Sequence, residues 1–234
     1  MCCSVDDAEI RRFSSLASEW WDGDGFAVLH KVNPVRVKYV LSQLDSSSSK
    51  RSLLDIGCGG GIFAESMVRL GFSVTGVDPS QASIEAASTH ARVAGLDIHY
   101  HCAHLDQFCA NHPEVYDVVT LMEVVEHVTD LESCLENACR LLKRGGMLFL
   151  STLNRTLKSM ILAIVAAEYV LRWVPRGTHS WNKFVRPSEV CSMLRARGVI
   201  VQNISGMKYR VLQNDWCVTS DDVDVNYLLA AKKL

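Results

Sequence analysis

The chain has 234 residues and a net charge of −2, with 21% charged residues. That length suits one α/β domain with a full core, and the charge balance gives no general pull toward nucleic acid, so none is expected as a partner. Nine scattered cysteines form neither a Cys-x-x-Cys pair nor an even framework, which predicts a reducing compartment and no structural zinc site.

The N-terminus, Met-Cys-Cys-Ser-Val-Asp-Asp, lacks a signal-peptide core and an Arg-rich transit helix. Ile10, Phe13, Leu16, Ala17 and Trp20 recur at helical spacing and predict a helix over about residues 7–20, ended by Trp20-Trp21-Asp22 and broken by Gly23 and Gly25. A second helix is expected after Asn33-Pro34, with the proline at its first position. It carries Tyr39 and Arg36, the latter either exposed or in a forked ion pair with a ligand carboxylate. Ser46–Ser49 reads as a flexible four-serine linker.

Ser52–Ile56 is a short apolar run suited to a strand buried on both faces of a parallel sheet. Glycines at 57, 59, 60 and 61 then let the backbone turn sharply beside a ligand, and Ile62–Leu70 follows at helical spacing. Strand, loop and helix start together predict a cradle of backbone N–H groups. Read from Gly59, the pattern Gly59-x-Gly61-x-x-Ala64 also fits a dinucleotide fingerprint, with Asp78 as ribose ligand. Asp55 puts an acid at the end of the first strand, and Ser73–Asp78 is a second strand ending in an acid placed to accept bonds from two ribose hydroxyls.

A helix is expected from Ser80 to about Ala94, closed by Gly95, and a third strand at Ile98–Cys102. His99, His101 and His104 are either exposed strand-end residues or a metal group, and Asp106 either a surface acid or a partner for an adenine edge. Tyr116–Leu121 is the fourth strand, with Met122-Glu-Val-Val-Glu-His127 at its carboxyl end, where ligands sit in open α/β sheets. Arg140–Gly146 reads as a basic helix finish with a glycine stop, Met147–Ser151 as a fifth strand, and Val199–Ile204 with Tyr227–Ala231 as a closing pair.

Asp55-x-Gly57-x-Gly59-x-Gly61 resembles the first motif of class I S-adenosylmethionine-dependent methyltransferases, in which the acid helps to hold the methionine ammonium. Over nearly its whole length the chain is further similar to the ubiquinone-biosynthesis O-methyltransferase family. The stretches that carry this are Trp20-Trp21-Asp22, Leu29-His30 with Asn33-Pro34-x-Arg36, Glu123-x-x-Glu-His127, Ser151-Thr-Leu-Asn154, Val174-Pro-x-Gly-Thr-His179, Phe184-x-x-Pro187 and Val225-Asn-Tyr227. The resemblance implies a Rossmann-like α/β fold: a seven-stranded, mostly parallel sheet with helices on both faces and a C-terminal antiparallel strand pair. It implies S-adenosylmethionine as cofactor, with contacts at Arg36, Gly57, Asp78 and Met122 beside Asp55 and Gly59, and, from its eukaryotic members, a magnesium site on Glu123, Glu126 and His127. The substrate implied is a polyprenylated catechol or hydroquinone. A ubiquinone-biosynthesis complex is a possible partner. The location implied is the matrix face of the mitochondrial inner membrane in a eukaryote, or a membrane-associated cytoplasmic one in a bacterium.

One domain is expected over 1–234: a helical part to residue 50, a cofactor-binding core at 51–152, an inserted cap or membrane-contact segment at 153–190, and closing strands at 191–234. Methyl transfer needs a phenolate, and a free phenol has a pKa of about 10. Glu123, Glu126 and His127 meet that need either by holding a hard divalent ion or with His127 as a direct base; a solvated turn is the remaining reading, and His179 a weaker base candidate. Ser159–Val174 is apolar but interrupted by Glu168 and Arg172. As a helix it would span about 24 Å against a bilayer core of about 30 Å. With Lys158, Arg172, Arg176, Lys183 and Arg186 around it, and Trp173 and Trp181, it reads as a contact with a membrane surface and a lid over a prenyl tail, or as a buried helix of the cap. Three other functions remain at this point: O-methylation of a different small phenol or acid, a non-catalytic cofactor-binding scaffold, and a nicotinamide-dependent enzyme.

Overall fold

The computed structural model describes residues 5–22, 26–45, 51–112, 115–161, 181–210 and 212–234. Strands β1 (Ser52–Ile56), β2 (Ser73–Asp78), β3 (His99–Cys102), β4 (Tyr116–Met122), β5 (Leu142–Leu153), β6 (Val199–Arg210), β7 (Asp215–Thr219) and β8 (Asn226–Lys233) form one sheet. Its order is β3-β2-β1-β4-β5-β8-β6-β7. The first five strands run parallel, and β8 enters antiparallel between β5 and β6. The alternation of side chains shows why the inner strands are nearly all apolar. Leu54, Ile56, Val119, Leu121, Leu148 and Leu150 pack on one face, while Leu53, Val118 and Phe149 pack on the other. Both faces are covered, so both parities must be hydrophobic. The edge strand β3, with His99 and His101, is largely exposed.

Four expectations change, the last of them at the end of the helix that precedes β5. The first helix is two, α1 (Asp7–Ser15) and α2 (Glu19–Asp22), separated by a turn. Helix α3 spans Ala27–Gln43, so Pro34 lies inside it rather than at its start. Proline removes the N–H that the His30 carbonyl would accept from, yet Val32, Asn33, Arg36, Tyr39 and Val40 are all buried along this helix. Asn33 also donates to the Ile62 carbonyl and the Ser66 hydroxyl. Tertiary contacts hold the helix together through the break. The sheet also has eight strands, because Asp215–Thr219 adds β7 to the edge of β6.

The remaining helices are α4 (Ile62–Arg69), α5 (Gln81–Val93), α6 (Leu105–Asn111), α7 (Leu131–Leu141), the short α8 (Leu157–Ser159) and α9 (Pro187–Arg195). Helix α7 stops at Leu141 and the chain enters β5 directly, so the basic Lys143-Arg144-Gly145-Gly146 run belongs to the strand rather than to a helix finish. The carboxyl ends of β1, β2 and β4 lie side by side in the register, which brings Asp55, the glycine loop, Asp78 and the turn after Met122 to one edge of the sheet.

Candidate active site

The glycine loop is shaped by its neighbours. Gly57 and Gly59 have φ of 67° and 52°, in the left-handed region where a Cβ is penalised. A Cβ at Gly57 would lie 2.5 Å from Val124, and one at Gly59 2.5 Å from the Trp20 ring. The loop N–H groups are mostly engaged within the protein: Gly57 and Cys58 donate to the Val77 carbonyl, Gly61 to Cys58, and Gly59 to the Asp78 carboxylate. This corrects the expected open cradle of amides. Two acids dominate the edge of the loop instead, a poor setting for a pyrophosphate.

Asp55 is 2% exposed and accepts a 2.7 Å bond from the Thr120 hydroxyl. Burial pushes its carboxyl up to about 7; Asp78 adds to the rise, while Thr120 and the Arg36 charge oppose it. Asp78 accepts from the Gly59 and Ser80 N–H groups at 3.0 and 2.8 Å. Burial raises it to about 6 against those two bonds. A cation arriving between these acids would recover the desolvation that each suffers alone. The methionine ammonium has that charge.

Trp20 and Trp21 form a roof over the loop. Trp20 donates to the Ser83 hydroxyl at 3.2 Å and stacks on Phe26 with centroids 3.8 Å apart. Trp21 donates to the Gly60 carbonyl at 2.9 Å and stacks on His90 at 3.5 Å.

At the end of β4 the chain turns at Glu123, which has φ of 56°, a region that non-glycine residues seldom enter. Two bonds to β5 hold it there: the Glu123 N–H donates to the Ser151 carbonyl, and the Ser151 hydroxyl donates to Glu123 Oε1 at 2.7 Å. Arg36 Nη2 meets the same Oε1 at 2.9 Å, so the arginine expected to hold the cofactor carboxylate reaches the site and pairs there with an acid. Met122 is half-buried against the core face that carries Phe149. Glu126 is 3% exposed; Thr152 donates to its Oε2 at 2.8 Å, and its Oε1 is buried without a hydrogen bond. Burial, and after it the nearby Glu123 carboxylate, push Glu126 well above the usual carboxylate range.

His127 faces elsewhere. Its Nδ1 lies 3.6 Å from Glu9 Oε2 on α1, an ion-pair contact longer than a hydrogen bond, and the Phe13 ring meets it edge-on at 5.3 Å. The His127 ring draws the Glu9 carboxyl down to about 2, against burial and with help from Lys183. Among the described residues no three His, Cys, Asp or Glu side chains converge to hold a metal ion. Of the expected ligand set, Glu123 and Glu126 adjoin, while His127 is drawn toward α1. Paired carboxylates, one with an orphaned buried oxygen, do fit magnesium, which commonly takes one or two protein carboxylates and completes its shell with water and substrate oxygens. His99, His101 and His104 form no metal group either. Asp106 lies in the first turn of α6.

Of the residues framing the site, the sequence reading singles out every acid of the sheet edge but neither Glu9, Thr120, Ser151 nor Thr152. Ser151 and Thr152 do lie in a quoted motif; Glu9 carried no signal beyond its place on a helix. His179, Glu168, Arg172, Trp173, Arg176, the Ser46–Ser49 linker and most of the apolar segment lie outside the described residues. Of its flanking cations, Lys158 is paired with Asp222 and Asp224, and Lys183 with Glu9.

A family model described as a methyltransferase domain matches residues 29–202. The ubiquinone biosynthesis O-methyltransferase of Caulobacter vibrioides is 45% identical over 98% of this chain and 95% of its own. That of Saccharophagus degradans is 42% identical over 99% and 98%. The magnesium protoporphyrin IX methyltransferase of Synechocystis PCC 6803, solved with bound SAH, superposes with a TM-score of 0.70 over 98% of this chain and 100% of that one. At 18% identity that likeness is one of fold. The fold, the paired acids of the loop and the full-length relatives lead to one conclusion: the chain belongs to the ubiquinone biosynthesis O-methyltransferase family, S-adenosylmethionine-dependent enzymes of class I fold.

Proposed function

We propose that the substrate is a polyprenylated catechol or hydroquinone, methylated on a ring hydroxyl. The observation that carries this is the adjacency of two acidic centres on one sheet edge: Asp55 and Asp78 around the glycine loop, and Glu123 with Glu126 one strand away. The first suits a cationic amino-acid end and a ribose; the second suits a hydroxylated ring. Asp78 has acceptor capacity left for ribose hydroxyls beside its two backbone bonds. Arg36 would take the cofactor carboxylate at the expense of Glu123. In the transfer step the phenol oxygen attacks the methyl carbon in line, the carbon–sulfur bond breaks, and its electron pair stays on sulfur. The phenol proton goes to His127, which we take as the base because it adjoins Glu126 in this turn and an imidazole can accept a proton near neutrality. Magnesium, held by Glu123 and Glu126, would make the phenol more acidic.

The long tail calls for a membrane surface. Leu157 and Ile161, at the start of the cap segment, are 66% and 49% exposed, which supports docking there. No helix among the described residues is long and apolar enough to cross a membrane. We propose peripheral attachment, at the matrix face of the mitochondrial inner membrane in a eukaryote or at the cytoplasmic membrane in a bacterium, with a ubiquinone-biosynthesis complex as partner. The relatives named above come from bacteria.

The test is turnover of a short-tailed, water-soluble demethylubiquinol analogue and of a long-tailed one in liposomes. The double substitution Leu157→Glu with Ile161→Glu is expected to leave the first intact and to remove the second. Equal loss of both, with a fall in melting temperature, would contradict docking at this face. Turnover of simple phenols alone would favour the other substrate class, and cofactor binding with no turnover would favour a scaffold.

A further inference from the structure

We propose that Glu65 and His90 are positioning residues of the cofactor site. As a hydrogen-bonded pair they hold Trp21 on the Gly60 carbonyl, and this clasp keeps the roof of α1 and α2 closed on the glycine loop and sets the rate of cofactor exchange. The inference needs only the family's cofactor and is independent of which phenol is methylated. Its first support is an unbroken chain of contacts. Glu65 lies in the first turn of α4 with its side chain 4% exposed. A carboxylate so buried is costly unless paired. Its Oε1 meets His90 Nδ1 at 2.7 Å, and Arg69 stands 3.6 Å from Oε2. An ionised carboxylate only accepts, so Nδ1 donates and the bond fixes the plane of the imidazole. The Trp21 indole lies flat on that plane, with centroids 3.5 Å apart and 4° between the rings, and the His30 ring meets the indole edge-on at 5.2 Å. Placed in this way, Trp21 Nε1 donates to the Gly60 carbonyl at 2.9 Å.

The second support is how the roof is attached. Along α5, the cap residue Ser80, then Ser83 and His90, lie on one face by their spacing and contact Ser14, Trp20 and Trp21 in that order. Ser80 also donates its N–H to Asp78, so the roof is fastened to the element that carries the ribose acid. The apolar hold is thinner. None of the nine residues of α1 is fully buried, and the cluster of Ala17, Trp20, Phe26 and Ile62 is separate from the two clusters that cover the sheet. A segment with few buried apolar contacts is one that opens locally. Beneath it Cys58, Gly59, Gly60 and Gly61 are all buried, and Trp20 comes within 2.5 and 2.3 Å of where a Cβ on Gly59 and Gly60 would stand. Passage of a cofactor along this loop therefore requires the roof to lift. Every partner in the clasp is a residue of this chain, so it resists lifting in both directions, for entry as for release.

The experiment uses the full chain and compares wild type with His90→Ala, Trp21→Phe, the His90→Ala/Trp21→Phe double variant and Glu65→Gln. Association and dissociation rates of S-adenosylhomocysteine are read by stopped-flow fluorescence, its Kd by calorimetry, and the melting temperature alongside. His90→Ala and Trp21→Phe are each expected to raise both rates about tenfold or more while Kd stays within about threefold, because a gate changes passage and not the bound state. The double variant should exchange no faster than the faster single one, since both break the same chain of contacts. Glu65→Gln, whose amide oxygen can still accept from Nδ1, should change the rates by less than about threefold. If His90→Ala does not fold, His90→Phe keeps the stack without the bond to Glu65 and should exchange at an intermediate rate. Wild-type exchange rates in the folded His90 and Trp21 variants overturn the proposal. So does faster dissociation alone with Kd weakened in proportion, which would make Trp21 a contact of the ligand, and so do additive effects that track a falling melting temperature, which would leave the pair a purely structural role.

Discussion

The two acidic centres of the sheet edge are built differently. Around the glycine loop, Asp55 and Asp78 are fixed by groups of the parallel sheet itself: the Thr120 hydroxyl of the adjacent strand and the N–H groups of Gly59 and Ser80. After β4, Glu123, Glu126 and His127 are fixed by side chains brought from far away in sequence: Arg36, Ser151, Thr152 and Glu9. The first centre is thus made largely of backbone and is pre-formed by the fold. The second is a network of side chains, which suits a site where ligands must displace protein contacts.

The comparison breaks most sharply at Asp78. Asp78→Ala removes charge-assisted bonds worth about 1.5–3 kcal/mol each and unties the loop, so S-adenosylhomocysteine affinity is expected to fall about a hundredfold. Unchanged affinity in a folded variant, read by calorimetry, would take Asp78 out of the site. On the other side, chelator-stripped enzyme is expected to lose at least about tenfold in turnover, about 1.4 kcal/mol of barrier, and to regain it with magnesium while cofactor affinity stays constant. Full activity after stripping would leave the carboxylate pair without a metal role.

A pH titration separates the centres further. Asp55, at about 7, must be charged to meet an ammonium, so cofactor affinity is expected to decline below that pH by up to about tenfold per unit. Stability should run the other way. Between the ordinary value of 3.8 and about 7, the folded state holds a proton that the unfolded state releases, so stability without cofactor decreases as pH rises through that window. Flat cofactor affinity from pH 8 to 5.5 would show that Asp55 carries no contact. The smallest effect is expected at Ser80, whose hydroxyl accepts from the Ser83 N–H at the start of α5 and contacts Ser14. Ser80→Ala should cost about 1 kcal/mol, or about 2–4 °C in melting temperature, with no direct loss of catalysis.

The same division explains what could be read in advance. β1, β2 and β4 are called nearly to the residue, because strands covered on both faces must be continuous apolar runs, and because glycine and aspartate at their ends follow local rules. Pro34 misleads, since its local preference for a helix start is overruled by Asn33, Arg36 and Tyr39 buried along α3. β7 is missed because its half-exposed residues show no periodic pattern and its identity depends on pairing with β6. The turn after β4 is visible as Glu-x-x-Glu-His, yet the direction of each side chain is not. That His127 meets Glu9 follows from packing between residues more than a hundred positions apart, for which no spacing rule exists.

The roof over the glycine loop has a consequence for which sequences this family can explore. A Cβ on Gly60 would fall 2.3 Å from the Trp20 side chain, just as one on Gly59 would fall on its ring. The demand for glycine at these two places is set by an indole from the N-terminal helices as much as by any ligand. A chain that replaced Trp20 with a smaller residue would relieve the contact at Gly60, where the backbone itself is not left-handed, and alanine could enter. The tryptophan and the glycine should therefore change together or not at all in lineages that drift: a loop motif long attributed to its cofactor would carry, written into it, the history of its lid.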